Sequence, residues 1–313
     1  MRSIDLLLQN WTVMPKLVLL ALVGFAAQLV DGSLGMGYGV TSSTLLLAAG
    51  LGPAAASAAI HVSEIGTSLV SGAAHQALGN VDWRTVGILA APGFVGAFVG
   101  ATLLANADTG TARIVVAVIL LVLGAYVTWR FLVPQRLHFE GRISARLLAP
   151  LGLVAGLVDA VGGGGWGPVG TTTMLSSGRL EPRKVVGSVN AAEFVVAVGA
   201  SLGFLLALGT QGVSWAFAAA LLVGGVLAAP VAAVVVRYLP ARVLGVTAGG
   251  LIVLTNLTTL AEVAGVEPVT TGLLAAVTVT MWVLWVSWAV KLDQAERSGG
   301  GHRPGDLVAA RLD

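Results

Sequence analysis

The sequence predicts an all-α polytopic integral membrane protein made of two inverted repeats. Each repeat is read as a glycine-interrupted hairpin followed by three transmembrane helices, with one extra helix at the C-terminus. Three observations lead there. Of the 313 residues, 56% are hydrophobic and only 10% are charged, where an ordinary soluble domain carries about 25% charged residues. Apolar stretches able to cover the roughly 30 Å hydrocarbon core as helices recur along the chain. Two glycine-rich interruptions, VDGSLGMGYGVTSS at 30–43 and VDAVGGGGWGPVGT at 158–171, resemble one another within a longer internal duplication.

The same composition excludes other classes. Mean hydropathy is +0.91, and the short alternating segments of a transmembrane barrel are absent from the sequence. Without cysteine there are no disulfides and no thiolate chemistry. A net charge of +2 and a pI near 9.3 would suggest nucleic acid in a soluble chain. Here the Lys and Arg residues sit in short loops, where membrane topology places them, so no nucleic-acid partner is expected. MRSIDLLLQNWTVMPK lacks the long apolar stretch of a signal peptide and is read as a retained segment lying at the membrane interface.

Taken in order, residues 1–15 form that N-terminal interfacial segment and 16–133 the first repeat. Its hairpin covers 17–50, from two apolar pieces at 17–30 and 39–50 that are each too short to span alone. Helices at 54–78, 84–106 and 112–132 follow. Residues 134–146 are a basic cytoplasmic linker, and 147–262 form the second repeat. There a hairpin over 147–178, from pieces at 147–160 and 168–177, precedes helices at 185–208, 214–236 and 241–261. A C-terminal transmembrane helix spans 268–291, and the polar stretch 292–313 reads as a disordered cytoplasmic tail. Trp282, Trp285 and Trp288 suggest an interfacial aromatic belt.

The duplication is residue by residue. An offset of 128 places Asp31 on Asp159, Gly35, Gly37 and Gly39 on Gly163, Gly165 and Gly167, and Tyr38 on Trp166. At 129, Pro53 falls on Pro182, His61 on Asn190 and Glu64 on Glu193; at 132, Trp83 falls on Trp215. Loop charges give the orientation. Lys291, Arg297, Arg303 and Arg311 place the C-terminus in the cytoplasm. Counting back, the loops with Arg130, Arg136, Arg142 and Arg146 and with Arg179, Arg183 and Lys184 are both cytoplasmic. Residues 147–178 therefore enter and leave on one side, which inverts one repeat relative to the other. The same count leaves the N-terminus outside, with Arg2 and Lys16 beside Asp5.

Inverted repeats that bring interrupted helices to a common centre are a mark of secondary transporters. Non-helical backbone cannot face lipid, so both glycine runs must be buried in protein or line a watery cavity. Glycine there permits φ > 0 and close approach of an anion or another backbone. Backbone N–H groups at the starts of the following helices carry positive partial charge and suit an anion. Gly35, Gly37, Tyr38, Gly39, Thr41, Ser42, Ser43, Gly163, Gly165, Trp166, Gly167, Thr171, Thr172 and Asn190 are thus the candidate substrate-binding residues. The competing reading is tight helix packing alone, as assigned to Gly93, Gly96, Gly100, Gly224 and Gly225.

Ionisable groups inside apolar segments are functional candidates by default. Asp31, His61, Glu64, Asp159 and Glu193 are assigned to proton coupling or gating. Asp31 and Asp159 also suit helix-end caps, and the glutamates could equally pair with backbone donors. His61 and Glu64 share one helix face at a spacing of three. The four histidines are too scattered to give a metal-ligand spacing, no nucleophilic triad fits the layout, and no cofactor or enzymatic activity is expected.

At VDGSLGMGYGVTSSTLLLAAGLGP (30–53), AAIHVSEIGTSLVSGAAHQALGNVDW (58–83) and GLVDAVGGGGWGPVGTTTMLSSGRLEPRKVVGSVNAAEF (156–194), the chain resembles the sulfite exporter TauE/SafE family of bacterial permeases. The resemblance implies transport of sulfite, sulfonates or related sulfur-containing anions by two similar halves. It places the doubled glycine motif at the central site. The expectation is a secondary transporter in the cell inner membrane, acting as an exporter on a small anion, with protons as candidate coupling ions. The alternatives are carriage of another small anion such as a carboxylate, or a passive anion channel.

Overall fold

The protein is described by a computed structural model covering residues 2–34, 36–133, 141–177, 179–235 and 241–298. Gly35, most of the expected linker and the tail beyond 298 lie outside the described residues. All regular structure described is helical: α1 (Arg2–Leu34), α2 (Tyr38–Ala48), α3 (Pro53–Ala77), α4 (Trp83–Asn106), α5 (Thr109–Leu132), α6 (Ala145–Gly162), α7 (Thr172–Ser176), α8 (Pro182–Leu208), α9 (Trp215–Val235), α10 (Ala241–Val263) and α11 (Pro268–Ser298). Among the described residues seven helices are long and apolar enough to cross a membrane, and the chain is a multi-pass membrane protein.

Element ends follow local chemistry. Pro53 and Pro182 open α3 and α8, where a missing N–H costs nothing. Asp108 caps α5 by accepting from the Thr111 N–H. Helix α1 is continuous from Arg2, so the expected interfacial segment is the first part of a 33-residue helix. At about 1.5 Å per residue it is longer than a bilayer core requires. The two short apolar pieces expected at 17–30 and 147–160 are also longer, as 18-residue stretches at Pro15–Gly32 and Ala145–Gly162.

The second limbs of the hairpins differ. Residues Tyr38–Ala48 form a regular helix, whereas Trp166–Thr171 form a wider π-helical turn before the five-residue α7. Pro168 lies inside that turn, where Val40 stands in the first repeat. Proline cannot donate a bond and crowds the preceding turn, which widens it.

Helix pairs between the halves repeat. Helix α4 packs along α6, and α9, its counterpart, packs along α1; α3 meets α8, and α5 meets α10. Glycine makes the first two contacts close. The position of a Cβ on Gly24 is occupied by the backbone of Leu221, and on Gly152 by the backbone of Leu89. These are the same contact at the offsets of 128 and 132 found in the sequence. Gly93, Gly96, Gly100, Gly224 and Gly225 likewise lie against neighbouring helices.

The ends of the bundle are fixed by polar contacts. Arg84 donates to the Ile143 carbonyl at 3.2 Å, the Asp82 N–H to Ser188 Oγ at 2.9 Å, and Arg179 to the Arg142 carbonyl at 3.4 Å. Both flanks of 145–177 therefore sit at one end, beside the α3–α4 loop. Ser57, near the start of α3, donates to the Ala160 carbonyl near the far end of α6. Helices α1 and α9 run in the same direction, with Gly24 against Leu221 and Gly32 sharing a cavity with Ala229.

Helix α11 lies against α10 and leaves Leu273, Val277, Leu284 and Trp288 exposed. Trp282 does not join an exposed belt: its ring covers Gly250 of α10. The spacing of the tryptophans could not tell which of them meets a small residue across the interface.

Packing at these glycines generates a direct test. Gly96→Leu drives a side chain into the backbone of Leu153, whereas a side chain at Gly87 meets nothing within 4 Å. Gly96→Leu is expected to destabilise by about 1–3 kcal/mol and to lower the thermal midpoint in detergent. Gly87→Leu should leave it unchanged.

Candidate functional site

The two glycine runs meet at the centre of the bundle, backbone on backbone. A Cβ on Gly39 would fall 2.5 Å from the Gly163 carbonyl oxygen and 2.6 Å from Gly164 Cα. On Gly164 it would strike the backbone of Gly39 and Val40. Ser43 donates to the Gly163 carbonyl at 2.7 Å. Gly37 at φ +123° and Gly163 at φ +66° take conformations that only glycine adopts freely. The gap expected to hold an anion between 35–44 and 163–172 is thus closed by the loops themselves.

The helix-start N–H groups are occupied too. Asp159 Oδ1 accepts from the N–H groups of Gly165 at 2.7 Å and Trp166 at 2.9 Å. Its counterpart Asp31 accepts from the Tyr38 N–H at 3.4 Å. The positive ends of the interrupted helices therefore already hold an anion each, the protein's own carboxylate.

Beside this contact lies a narrow polar crevice with no room for a free water. It is lined by Gln28, Asp31, Tyr38, Glu64, Thr67, Ser68, Asn190 and Glu193. Ser68 donates to Glu193 Oε2 at 3.1 Å, and Ser71 to Asn190 Oδ1 at 3.0 Å. The Tyr38 hydroxyl donates to the Leu221 carbonyl at 3.2 Å and lies 3.0 Å from Ser63 Oγ. A larger cavity of about 450 Å³, lined by Gln28, Gly32, Val70, Ser71, Ala74, His75, Leu78, Asn80, Val226 and Ala229, opens toward the α3–α4 loop. Gln28 faces both spaces, and Ser71 links the larger one to Asn190 of the smaller.

Asp31, Tyr38, Glu64, Asn190 and Glu193, all expected from the sequence, come together around the crevice. His61 joins Glu64 through Nδ1 to Oε2 at 2.8 Å, with Asp159 Oδ2 at 3.9 Å. Thr41 Oγ1 and Ser42 Oγ are buried without a hydrogen-bond partner on the first turn of α2. Gly163, Gly165, Trp166, Thr171 and Thr172 lie away from the crevice. The indole of Trp166 is fully buried across Gly93, its Nε1 donating to the Val189 carbonyl at 3.1 Å. Thr172 donates to the Pro168 carbonyl. Gly167 and Thr171 are buried in the π-helical turn.

Sequence reasoning did not single out Gln28, Thr67, Ser68 or Ser71. A signal existed in α3, where Ser57, His61, Glu64, Ser68 and Ser71 recur every three or four residues and form one polar stripe. Four buried carboxylates and one imidazole converge here, and no Lys or Arg among the described residues lines the crevice. Uncompensated charge in a dry interior is costly. The arrangement therefore suits binding of protons or a cation, or of an anion accompanied by them.

The chain matches the family described as "Sulfite exporter TauE/SafE" over residues 20–259. It is 46% identical over 250 residues to the "Probable membrane transporter protein YtnM" of Bacillus subtilis (strain 168), across 79% of this chain and 83% of that one. No solved structure matches it.

The caps differ in strength, and a pair of substitutions tests this. Asp159→Ala leaves two buried N–H groups without their acceptor, at about 1–3 kcal/mol each; among the described residues Asp31→Ala loses one long bond. The thermal midpoint should fall further for Asp159→Ala. Equal losses would show that the caps are not what holds the loops.

Proposed function

Because the chain belongs to the sulfite exporter TauE/SafE family, we propose that this membrane transporter carries a sulfur-containing anion, such as sulfite or a sulfonate, outward across the cytoplasmic membrane together with protons. The observation that carries this reading is the narrow polar crevice at the meeting of the halves, with a wider cavity leading to it from one end of the bundle. That end carries Arg84, Arg142, Arg146, Arg179, Arg183 and Lys184, which favours a cytoplasmic position for it and for the C-terminus. The cavity is then the cytoplasmic vestibule, and the crevice the transport site in its closed state.

We take the two halves as inverted repeats whose hairpins enter from opposite faces, the arrangement that permits alternating access. A small anion would pass Gln28 and Ser71 into the crevice. Asp31 and Glu193 face the same space, and an anion next to ionised carboxylates is strongly repelled. Cargo is accommodated once protons neutralise them, which ties anion movement to proton movement. A crevice too tight for water favours a carrier over a passive channel.

Proteoliposomes with labelled sulfite and small sulfonates test the reading. Saturable flux that responds to an imposed pH gradient is expected. Glu193→Gln should weaken the response to the gradient, and Ser68→Ala should cut the rate at least about tenfold, equivalent to about 1.4 kcal/mol. Absence of saturable flux for every sulfur oxyanion, with and without a gradient, would overturn it.

A further inference from the structure

The duplication gives the polar crevice a counterpart. At the repeat offsets, Asp31 becomes Asp159 and Asn190 becomes His61, while Thr67 and Ser68 become Val196 and Ala197. At that related position lies the triad of His61, Glu64 and Asp159. We infer that these three side chains form a resident site for one divalent transition-metal ion, with His61 Nδ1, Glu64 Oε2 and Asp159 Oδ2 as protein ligands.

Each of the three buried residues offers a ligand atom within 4.8 Å of the other two. Ligands held about 2.0–2.2 Å from one ion are up to about 4.4 Å apart, and the imidazole-to-carboxylate separations of 2.8 and 3.9 Å fall inside that reach. The shorter contact misses hydrogen-bond alignment. Asp159 Oδ2, on a side chain only 2% exposed, has no hydrogen-bond partner and faces the other two.

Asp159 and His61 have supporting contacts, although His61 Nε2 has no hydrogen-bond partner. Asp159 is oriented by the two N–H groups on its other oxygen. The His61 ring stacks on Phe204 at 6.2 Å and 20°. Glu64 stands three residues from His61 on one helix face, a spacing used by paired ligands in helical metal sites. Of the three, Asp159 is the ligand held by partners of its own, the arrangement that orients a carboxylate toward a metal. One nitrogen and two oxygens suit zinc, cobalt or manganese rather than the all-oxygen preference of magnesium and calcium. The ion would join α3 of the first half to the hairpin of the second and supply positive charge beside the carboxylates. The site rests on the fold and stands whether or not the cargo is a sulfur anion.

The test uses full-length protein purified without a histidine tag, stripped with chelator and titrated with cobalt(II). One ion per chain, visible ligand-field bands and a raised thermal midpoint are expected. Magnesium should not compete. His61→Ala and Glu64→Gln should weaken binding at least about a hundredfold, and His75→Ala should bind as the parent does. X-ray absorption on the zinc-loaded parent should show a nitrogen and oxygen shell with a single imidazole, a reading that needs no variant to fold. No stoichiometric binding, binding retained by both His61→Ala and Glu64→Gln, or a shell with two imidazoles would overturn the assignment.

Discussion

At the centre of this protein the first turn of α2 meets the non-helical stretch that follows α6, and the satisfaction of backbone groups there is the constraint on which the rest depends. In a low-dielectric interior each unpaired backbone group costs several kcal/mol. The Ser43 bond to Gly163 and the carboxylates of Asp159 and Asp31 answer that cost, and the first turn of α2 packs Gly39 directly against Gly164. Any side chain at these glycines would part the loops. The crevice lies beside this contact, and both Asp31 and Tyr38 reach it from the first loop.

Duplication built the site, and divergence differentiated it. In one half the space beside the loop is polar, with Gln28, Tyr38, Thr67 and Ser68. At the corresponding places of the other stand Gly156, Trp166, Val196 and Ala197, and the buried Trp166 ring lies against Gly93 and Val196. The backbone contacts remain paired while the side chains no longer match. A symmetric scaffold suits exchange between two related conformations, and an asymmetric lining lets a single polar pathway run through it.

Much of this was legible in the sequence. The apolar stretches, the offset of 128, and the isolated carboxylates with His61 mark the helices, the crossing loops and the ionisable cluster. The use made of the glycines was not. Gly-x-Gly-x-Gly fits a bound anion and a second backbone equally well, and only the fold shows Gly164 against Gly39. Asp159 holding its own loop closed the anion site that the bare sequence suggests. The π-helical turn at Pro168 depends on how a ring clashes with the preceding turn. The serines of α3 were hidden because each alone is unremarkable in an apolar helix; their common stripe gains meaning once Asn190 and Glu193 face it.

The most direct test of the account is the side of the membrane from which each hairpin opens. The chain has no cysteine, so single cysteines at Ser144, Ser177 and Ala49 report without background. With a membrane-impermeant maleimide on intact cells and on inverted vesicles, Ser144→Cys and Ser177→Cys should both react from the cytoplasmic side. Ala49→Cys should react from the opposite side. Labelling of Ser144→Cys and Ser177→Cys from different sides would contradict the account, because the second glycine-rich segment would then cross the membrane instead of turning back within it.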